Sequence, residues 1–274
     1  MNIGFSVLMS IYCKENPKFL HECLKSIWDN QTLKPNQIVL VKDGELTDEL
    51  EKIIQDWQNK LKGILKIVPL LQNVGLAKAL NAGLEHCEHE WVFRMDTDDI
   101  CMSDRFQKQI DFIKANPSIV LFGGQVQEFN QQIDDLKMIK SVPTSHEQIC
   151  HFATKRNPFN HMTIAYKKLV ILSLDSYQHH WFMEDYNLWL RVIGNGYQVS
   201  NLSDILVYAR VGNGMHGRRR GWQYIKSEWQ LFQLKNQLNV HGVFYGGSIF
   251  ILRTIPRLLP QPILGLLYRL LRKR

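Results

Sequence analysis

Trp91-Val92-Phe93-Arg94-Met95-Asp96-Thr97-Asp98-Asp99 is the stretch on which the reading of this chain turns. Its first half is an apolar run rich in aromatic and β-branched residues, the pattern of a buried strand. Its second half places three carboxylates within four residues. In an open α/β sheet, ligands bind in the crevice beyond the carboxyl ends of the strands, so these acids stand where chemistry is done. Carboxylates this close repel one another. Raised pKa values or a bound cation relieve the repulsion, and hard oxygen donors suit Mg²⁺ or Mn²⁺. The competing reading is a solvated acidic turn in which Asp98 or Asp99 only caps the next element.

Upstream, strand and helix patterns alternate three times. Phe5 to Met9 reads as a strand, and Asn16-Pro17 as a helix cap followed by proline at the first helical position. Leu20, Cys23, Leu24, Ile27 and Trp28 form the apolar stripe of that helix. Gln37 to Val41 is a second strand ending in Lys42-Asp43-Gly44. Thr47 caps a helix whose buried stripe is Leu50, Ile53, Ile54, Trp57 and Leu61. Leu65 to Leu71 is a third strand, interrupted by Pro69, and Asn73-Val74-Gly75 turns into a helix with Leu76, Leu80, Leu84 and Cys87 on one face. This alternation predicts a mostly parallel, Rossmann-like sheet with helices on both faces, an α/β fold.

Downstream the rhythm changes. Ser103 is placed to cap a helix carrying Phe106, Ile110 and Ile113, stopped at Asn116-Pro117. Ile119 to Gly123 reads as a strand, Gln125 to Asp135 as a polar excursion, 141 to 160 as loop with a short helix, and His161 to Tyr166 as an alternating strand. Glu184 to Ile193 has helical spacing, Arg210 ends a strand-like run, 212 to 221 is a glycine- and arginine-rich loop, and 225 to 238 an amphipathic helix.

The chain has 274 residues, enough for one large α/β domain with appendages. A net charge of +7, concentrated after residue 209, points to an anionic partner. Five cysteines without a C-x-x-C pair indicate reduced thiols rather than a disulfide framework or zinc site. No signal-peptide pattern opens the sequence, which leads to the expectation of a cytoplasmic location. Residues 242 to 252, the longest nearly uncharged apolar run, are about half the ~20 residues that span a bilayer.

Five motifs, in order, resemble the family 2 glycosyltransferases of the GT-A fold. They are Ser6 to Tyr12, Val41-Lys42-Asp43-Gly44, Asn73-Val74-Gly75-Leu76-Ala77, Asp96-Thr97-Asp98-Asp99 and Glu184-Asp185-Tyr186-Asn187-Leu188-Trp189. His161-Met162-Thr163 and Arg210 to Met215 resemble the narrower group that extends lipid-linked sugars in bacterial O-antigen and surface-polysaccharide synthesis. The resemblance implies a transferase domain over 1–238, with a nucleotide-binding half to about residue 100 and an acceptor-binding half beyond it. It implies that Ser10, Tyr12, Asp43, Asn73, Lys78, Asp96 and Thr97 bind the nucleotide sugar, that Asp98 ligates Mn²⁺ or Mg²⁺, and that Asp99 supports them. It further implies an inverting reaction from a UDP-sugar, galactose ahead of glucose, to GlcNAc on undecaprenyl diphosphate.

An inverting transferase needs a base for the acceptor hydroxyl. Glu184 and Asp185 are adjacent on a helix and diverge by about 100°. Asp185 shares its face with Leu188, Trp189 and Val192, and Glu184 with Asn187 and Arg191. This assigns Asp185 as base and Glu184 as an acceptor-orienting or Arg191-paired group. His161, His216, Arg218, Arg219 and Arg220 are candidates for the acceptor or its diphosphate, although each also fits a structural or solvated role. The segment 239–274 alternates leucines with Arg253, Arg257, Arg269, Arg272, Lys273 and Arg274, as in a hinged amphipathic helix lying on an anionic inner-membrane surface. Its bland alternative is a helix packed on the domain. A nucleotidyltransferase would ordinarily carry a glycine-rich basic loop after the first strand, which residues 11 to 16 do not supply. A nucleic-acid-binding scaffold finds no recognised module here.

Overall fold

The computed structural model describes residues 3–136, 138–211 and 222–258. The first half follows the local signals closely. Strands β1 (Phe5–Ile11), β2 (Gln37–Lys42), β3 (Leu65–Pro69) and β4 (Trp91–Arg94) alternate with helices α1 (Pro17–Ile27), α2 (Asp48–Lys60) and α3 (Leu76–Glu85). Asn16 Oδ1 accepts from the Lys18 N–H and Thr47 Oγ1 from the Leu50 N–H, so both predicted caps satisfy free amides of a first turn. The four strands pair in parallel in the order β3-β2-β1-β4.

The side chains alternate across this sheet as a strand period of two requires. Val7, Met9, Ile38, Leu40 and Phe93 face the layer of α1, α2 and α4 (Arg105–Ala115), while Leu8, Val39, Val41 and Val92 face α3 and α7 (Glu184–Gly194). The contact with α3 is so close that a Cβ on Gly83 would lie 2.5 Å from both Leu8 Cδ1 and Val41 Cγ2. Gly83→Ala is therefore expected to destabilise the fold by roughly 1–3 kcal/mol through overpacking, against the gain of up to ~1 kcal/mol that alanine brings to a helix. A urea titration of the variant measures the net sign.

Past β4 the sheet becomes mixed. It continues through β8 (Ala165–Lys167), β6 (Leu121–Phe129), β9 (Val199–Arg210) and β5 (Ile100–Cys101), with β7 (Met138–Lys140) on β6. β8 is antiparallel to β4 and β6, whereas β6 and β9 run parallel. α5 (His146–Ala153) and α6 (Lys168–Ser173) lie on the connections, and α8 (Trp222–Gln237) and α9 (Val243–Leu258) close the described chain.

The structure corrects four expectations. β6 runs on through the supposed excursion to Phe129 because buried Gln125 pairs its amide with Val142 N, Val142 O and Leu202 O. His161–Thr163 is a 3₁₀ turn rather than a strand, closed by the Thr163 hydroxyl donating to Asn160 O at 2.7 Å. Ser103 does not cap α4: its carbonyl accepts from the Thr32 N–H, and Asp104 occupies the N-cap without a side-chain capping bond. Leu76 is 36% exposed at the start of α3 instead of lying on its buried stripe.

The described part of the C-terminal segment is built onto the domain. α9 packs on α8 through Phe250 against Trp229 and Phe232, and Arg253 pairs with buried Glu228 at 2.7 Å. No described helix is long and apolar enough to cross a membrane. The expected hinge after Pro256 falls largely on residues 259–274, outside the described residues.

Candidate active site

The acids emerge from the carboxyl end of β4 beside a cavity of about 340 Å³. Ser10, Tyr12 and Glu15 line it from the end of β1, Asp43 from β2, Asn73, Gly75 and Leu76 from the start of α3, and Arg94, Asp96, Thr97 and Asp98 from β4 and its turn. The expected nucleotide-sugar residues thus share one wall system. Lys78 is the exception, exposed one turn into α3 and absent from the lining.

Asp43 explains why the Asp43-Gly44 and Asn73-Val74-Gly75 motifs occur together. Its Oδ1 accepts from the Val74 N–H at 2.7 Å and its Oδ2 from the Gly75 N–H at 3.0 Å, while Asn73 Nδ2 donates to its carbonyl at 3.2 Å. Gly44 has φ +85°, and a Cβ there would meet Asn73 N at 2.7 Å. The carboxylate clamps the loop that opens α3, so the helix N-terminus is directed at the cavity, where it favours an anion.

The three acids differ in their surroundings. Asp96 Oδ1 receives Arg94 Nη2 at 2.5 Å, and the Arg94 guanidinium, 1% exposed, also donates to Met95 O. Arg105 is buried behind it: Nη2 donates to Arg94 O at 2.8 Å and Nε to Gln109 Oε1 at 2.9 Å. Burial, and secondarily the charge of Asp96, pushes Asp98 up to about 6. Asp99 is raised well above the usual carboxylate range by burial and by Asp98 and Asp96. Asp99 Oδ1 accepts from the Arg210 N–H at 2.8 Å, but Oδ2 is buried without a partner. Arg210 also donates Nε to Asp98 O and Nη2 to Glu22, with its guanidinium stacked between Phe19 and Phe129. Arg210 thus ties β9 to the acidic turn.

This donor set fits a hard divalent cation. The oxygens are carboxylate, burial and then mutual repulsion lift Asp98 and Asp99, and one buried oxygen lacks a hydrogen-bond donor. Among the described residues no group of three or more His, Cys, Asp or Glu side chains gathers to hold a metal unaided. An ion held here would need further ligands beyond these side chains.

α7 brings up the second pair of acids. Burial pushes Glu184 up to about 7, and Asp185 and Asp96 add to the shift. Asp185 is held differently, with Oδ2 accepting from Asn157 Nδ2 and Oδ1 from the Tyr186 N–H, both at 2.7 Å. The helix-face premise does not hold: Asn187 and Arg191 are as buried as Leu188 and Val192. Arg191 is not paired with Glu184. Its Nε donates to Asn187 Oδ1 and its Nη atoms to Leu174 O and Ser176 O, because α7 is enclosed by the loop after α6.

His161 feels the charges of Arg94, Asp185 and Asp96. Its Nε2 and the Tyr177 hydroxyl are 3.0 Å apart, and burial lowers its pKa, so the ring is neutral at pH 7. Any contact it makes with an acceptor is a hydrogen bond and not an ion pair. His216, Arg218, Arg219 and Arg220 lie outside the described residues. Arg94, Arg105 and Asn157 are site-shaping residues that the motif reading missed. Arg94 carries a visible signal, a charge inside an otherwise apolar strand, and Asn157 carries none.

The sequence profile of Glycosyl transferase family 2 matches residues 6–181. The chain is 48% identical over 269 residues to the amylovoran biosynthesis glycosyltransferase AmsE of Erwinia amylovora, covering 98% of this chain and 99% of that protein. It is 36% identical over 269 residues to the UDP-Gal:alpha-D-GlcNAc-diphosphoundecaprenol beta-1,3-galactosyltransferase of Escherichia coli, covering 97% and 95%. The crystal structure of S. aureus TarS 1-349 in complex with UDP-GlcNAc superposes with a TM-score of 0.68 at 21% identity, over 90% of this chain and 70% of that one. That likeness places the fold as GT-A-like.

Proposed function

We propose that this chain, which belongs to glycosyl transferase family 2 and is a glycosyltransferase, moves a hexose from a UDP-sugar to a lipid-diphosphate-linked GlcNAc with inversion. Galactose is the first choice of donor sugar and glucose the second. The observation that carries this reading is one arrangement. A β4-end acid cluster opens on a cavity walled by β1, β2 and the N-terminus of α3, and a second acid pair stands on α7. The similarity to the Escherichia coli galactosyltransferase supports the acceptor class.

In this reading the uridine lies along Ser10, Tyr12, Asp43 and Asn73, with the ribose against Asp96 and Thr97. Asp98 would hold Mn²⁺ or Mg²⁺, which when bound neutralises charge on the departing diphosphate. The α3 N-terminus adds a positive potential on the same anion. Asp185, fixed by two donors, takes the proton from the acceptor hydroxyl, and Glu184 orients that hydroxyl. Arg210 and Arg94 hold the acids in register without touching the reacting atoms. Incubating the protein with a panel of labelled nucleotide sugars and a synthetic GlcNAc-diphosphate-lipid tests the proposal. Transfer from UDP-galactose, ahead of UDP-glucose, is the expected result, and transfer from none of the panel contradicts it.

In this reading the enzyme works as a peripheral protein at the cytoplasmic face of an inner membrane, where a lipid-linked acceptor is found. The outer side of α9 suits that position, with Phe244 96%, Leu252 71% and Ile255 55% exposed on one helical face. Arg269, Arg272, Lys273 and Arg274 come after it in the sequence. The full chain is expected to sediment with anionic vesicles at low salt and to be released at high salt. Phe244→Glu with Leu252→Glu should weaken that binding while the melting temperature is kept.

A further inference from the structure

We infer that Asn157 is a positioning residue for the reaction, fixing the Asp185 carboxylate for proton transfer; this rests on the base assignment made above. The Asn157 amide cannot turn either way with equal ease. Its Oδ1 accepts from the Phe159 N–H at 3.2 Å, which leaves Nδ2 to donate to Asp185 Oδ2 at 2.7 Å. A flipped amide would set two oxygens against each other. With the Tyr186 N–H on Oδ1, each oxygen of Asp185 has one fixed donor. The carboxylate is locked in rotation and keeps further lone pairs for an acceptor hydroxyl.

The segment that carries Asn157 is itself anchored. Pro158 restricts Asn157 to extended backbone, and Asn201 Nδ2 donates to Pro158 O at 3.1 Å. Asn160 Nδ2 donates to Gly124 O at 2.9 Å, and Thr163 Oγ1 accepts from the Gly124 N–H at 3.0 Å. Gln109 Nε2 then donates to Thr163 O at 2.9 Å, and through Arg105 the chain of bonds reaches Arg94 O on β4. Hydrogen bonds from Asn160 to Arg94, with the backbone from Asn157 to Asn160, thus join the strand that leads into Asp96 and Asp98 to the segment holding the partner of Asp185. This linkage sets the base relative to the donor end of the site, where an error of about 1 Å costs on the order of 10² in rate.

The test is kinetic, on the full chain, with Asn157→Ala, Asn157→Asp, Asp185→Asn and the double variant Asn157→Ala/Asp185→Asn. Asn157→Ala is expected to lower kcat roughly 10²-fold with the donor KM within about twofold. Asn157→Asp should lower kcat at least as much, because it keeps the size of the side chain but replaces the donor on Asp185 Oδ2 with an oxygen. Adding Asn157→Ala to Asp185→Asn should cost nothing more. A loss in Asn157→Ala that adds in full to Asp185→Asn, or that falls on the donor KM instead of kcat, overturns the positioning role while leaving Asp185 as base. A near-normal rate in Asp185→Asn overturns both. A thermal melt of each variant separates these outcomes from unfolding.

Discussion

Asp98→Ala is expected to remove transfer almost entirely, by about 10³-fold or more, and to remove Mn²⁺-dependent binding of the UDP-sugar with it. Losing one charge-stabilising group at a reacting centre costs on the order of 10²–10³, and here the ion itself is lost as well. The fold should not suffer. Asp98 is raised to about 6 in the folded chain, so its ionised form is disfavoured there relative to the unfolded chain. The stability such a group contributes is lost as pH rises through that value, so at pH 7 its removal costs no favourable interaction of charge. Calorimetric titration with UDP, with and without MnCl₂, alongside a thermal melt, measures both halves. Turnover near the wild-type level in Asp98→Ala would remove the metal assignment.

Asp185→Asn should keep donor affinity and lose roughly 10²–10⁴ in rate, the usual range for a general base. Glu184→Gln should lose less. The two are discriminated by pH as well as by size of effect. Burial holds Glu184 at about 7, so if Glu184 were the base, the rate would rise through that pH and the limb would vanish in Glu184→Gln. With Asp185 as base, Glu184→Gln keeps the acidic limb. A reversed order of the two losses, with the limb abolished in Glu184→Gln, assigns the base to Glu184.

The parts of the fold that were legible in the sequence are those specified locally. The caps at Asn16 and Thr47 are made within three residues, and the apolar alternation of β1, β2 and β4 comes from burial on both faces. The acid cluster was legible because a strand end and three carboxylates coincide. Long-range partners were not. β6 extends through Gln125 only because Val142 and Leu202 satisfy its amide from 17 and 77 residues away. The helix-face reading of Glu184 and Asp185 assumed a solvated side, yet α7 is enclosed on every side, and no periodicity tells two buried faces apart. Asn157 meets Asp185 from 28 residues away, with β8 and α6 between them, which leaves no mark in spacing.

Proton NMR of the product formed from UDP-α-galactose and a short-chain GlcNAc-diphosphate-lipid, in the presence of Mn²⁺, tests the central claim most directly. A new galactose in β-linkage to the GlcNAc, formed only with the divalent ion and absent with Asp98→Ala, is the predicted result. An α-linked product, equal transfer after chelation of the metal, or release of free galactose without any new glycosidic bond would contradict it.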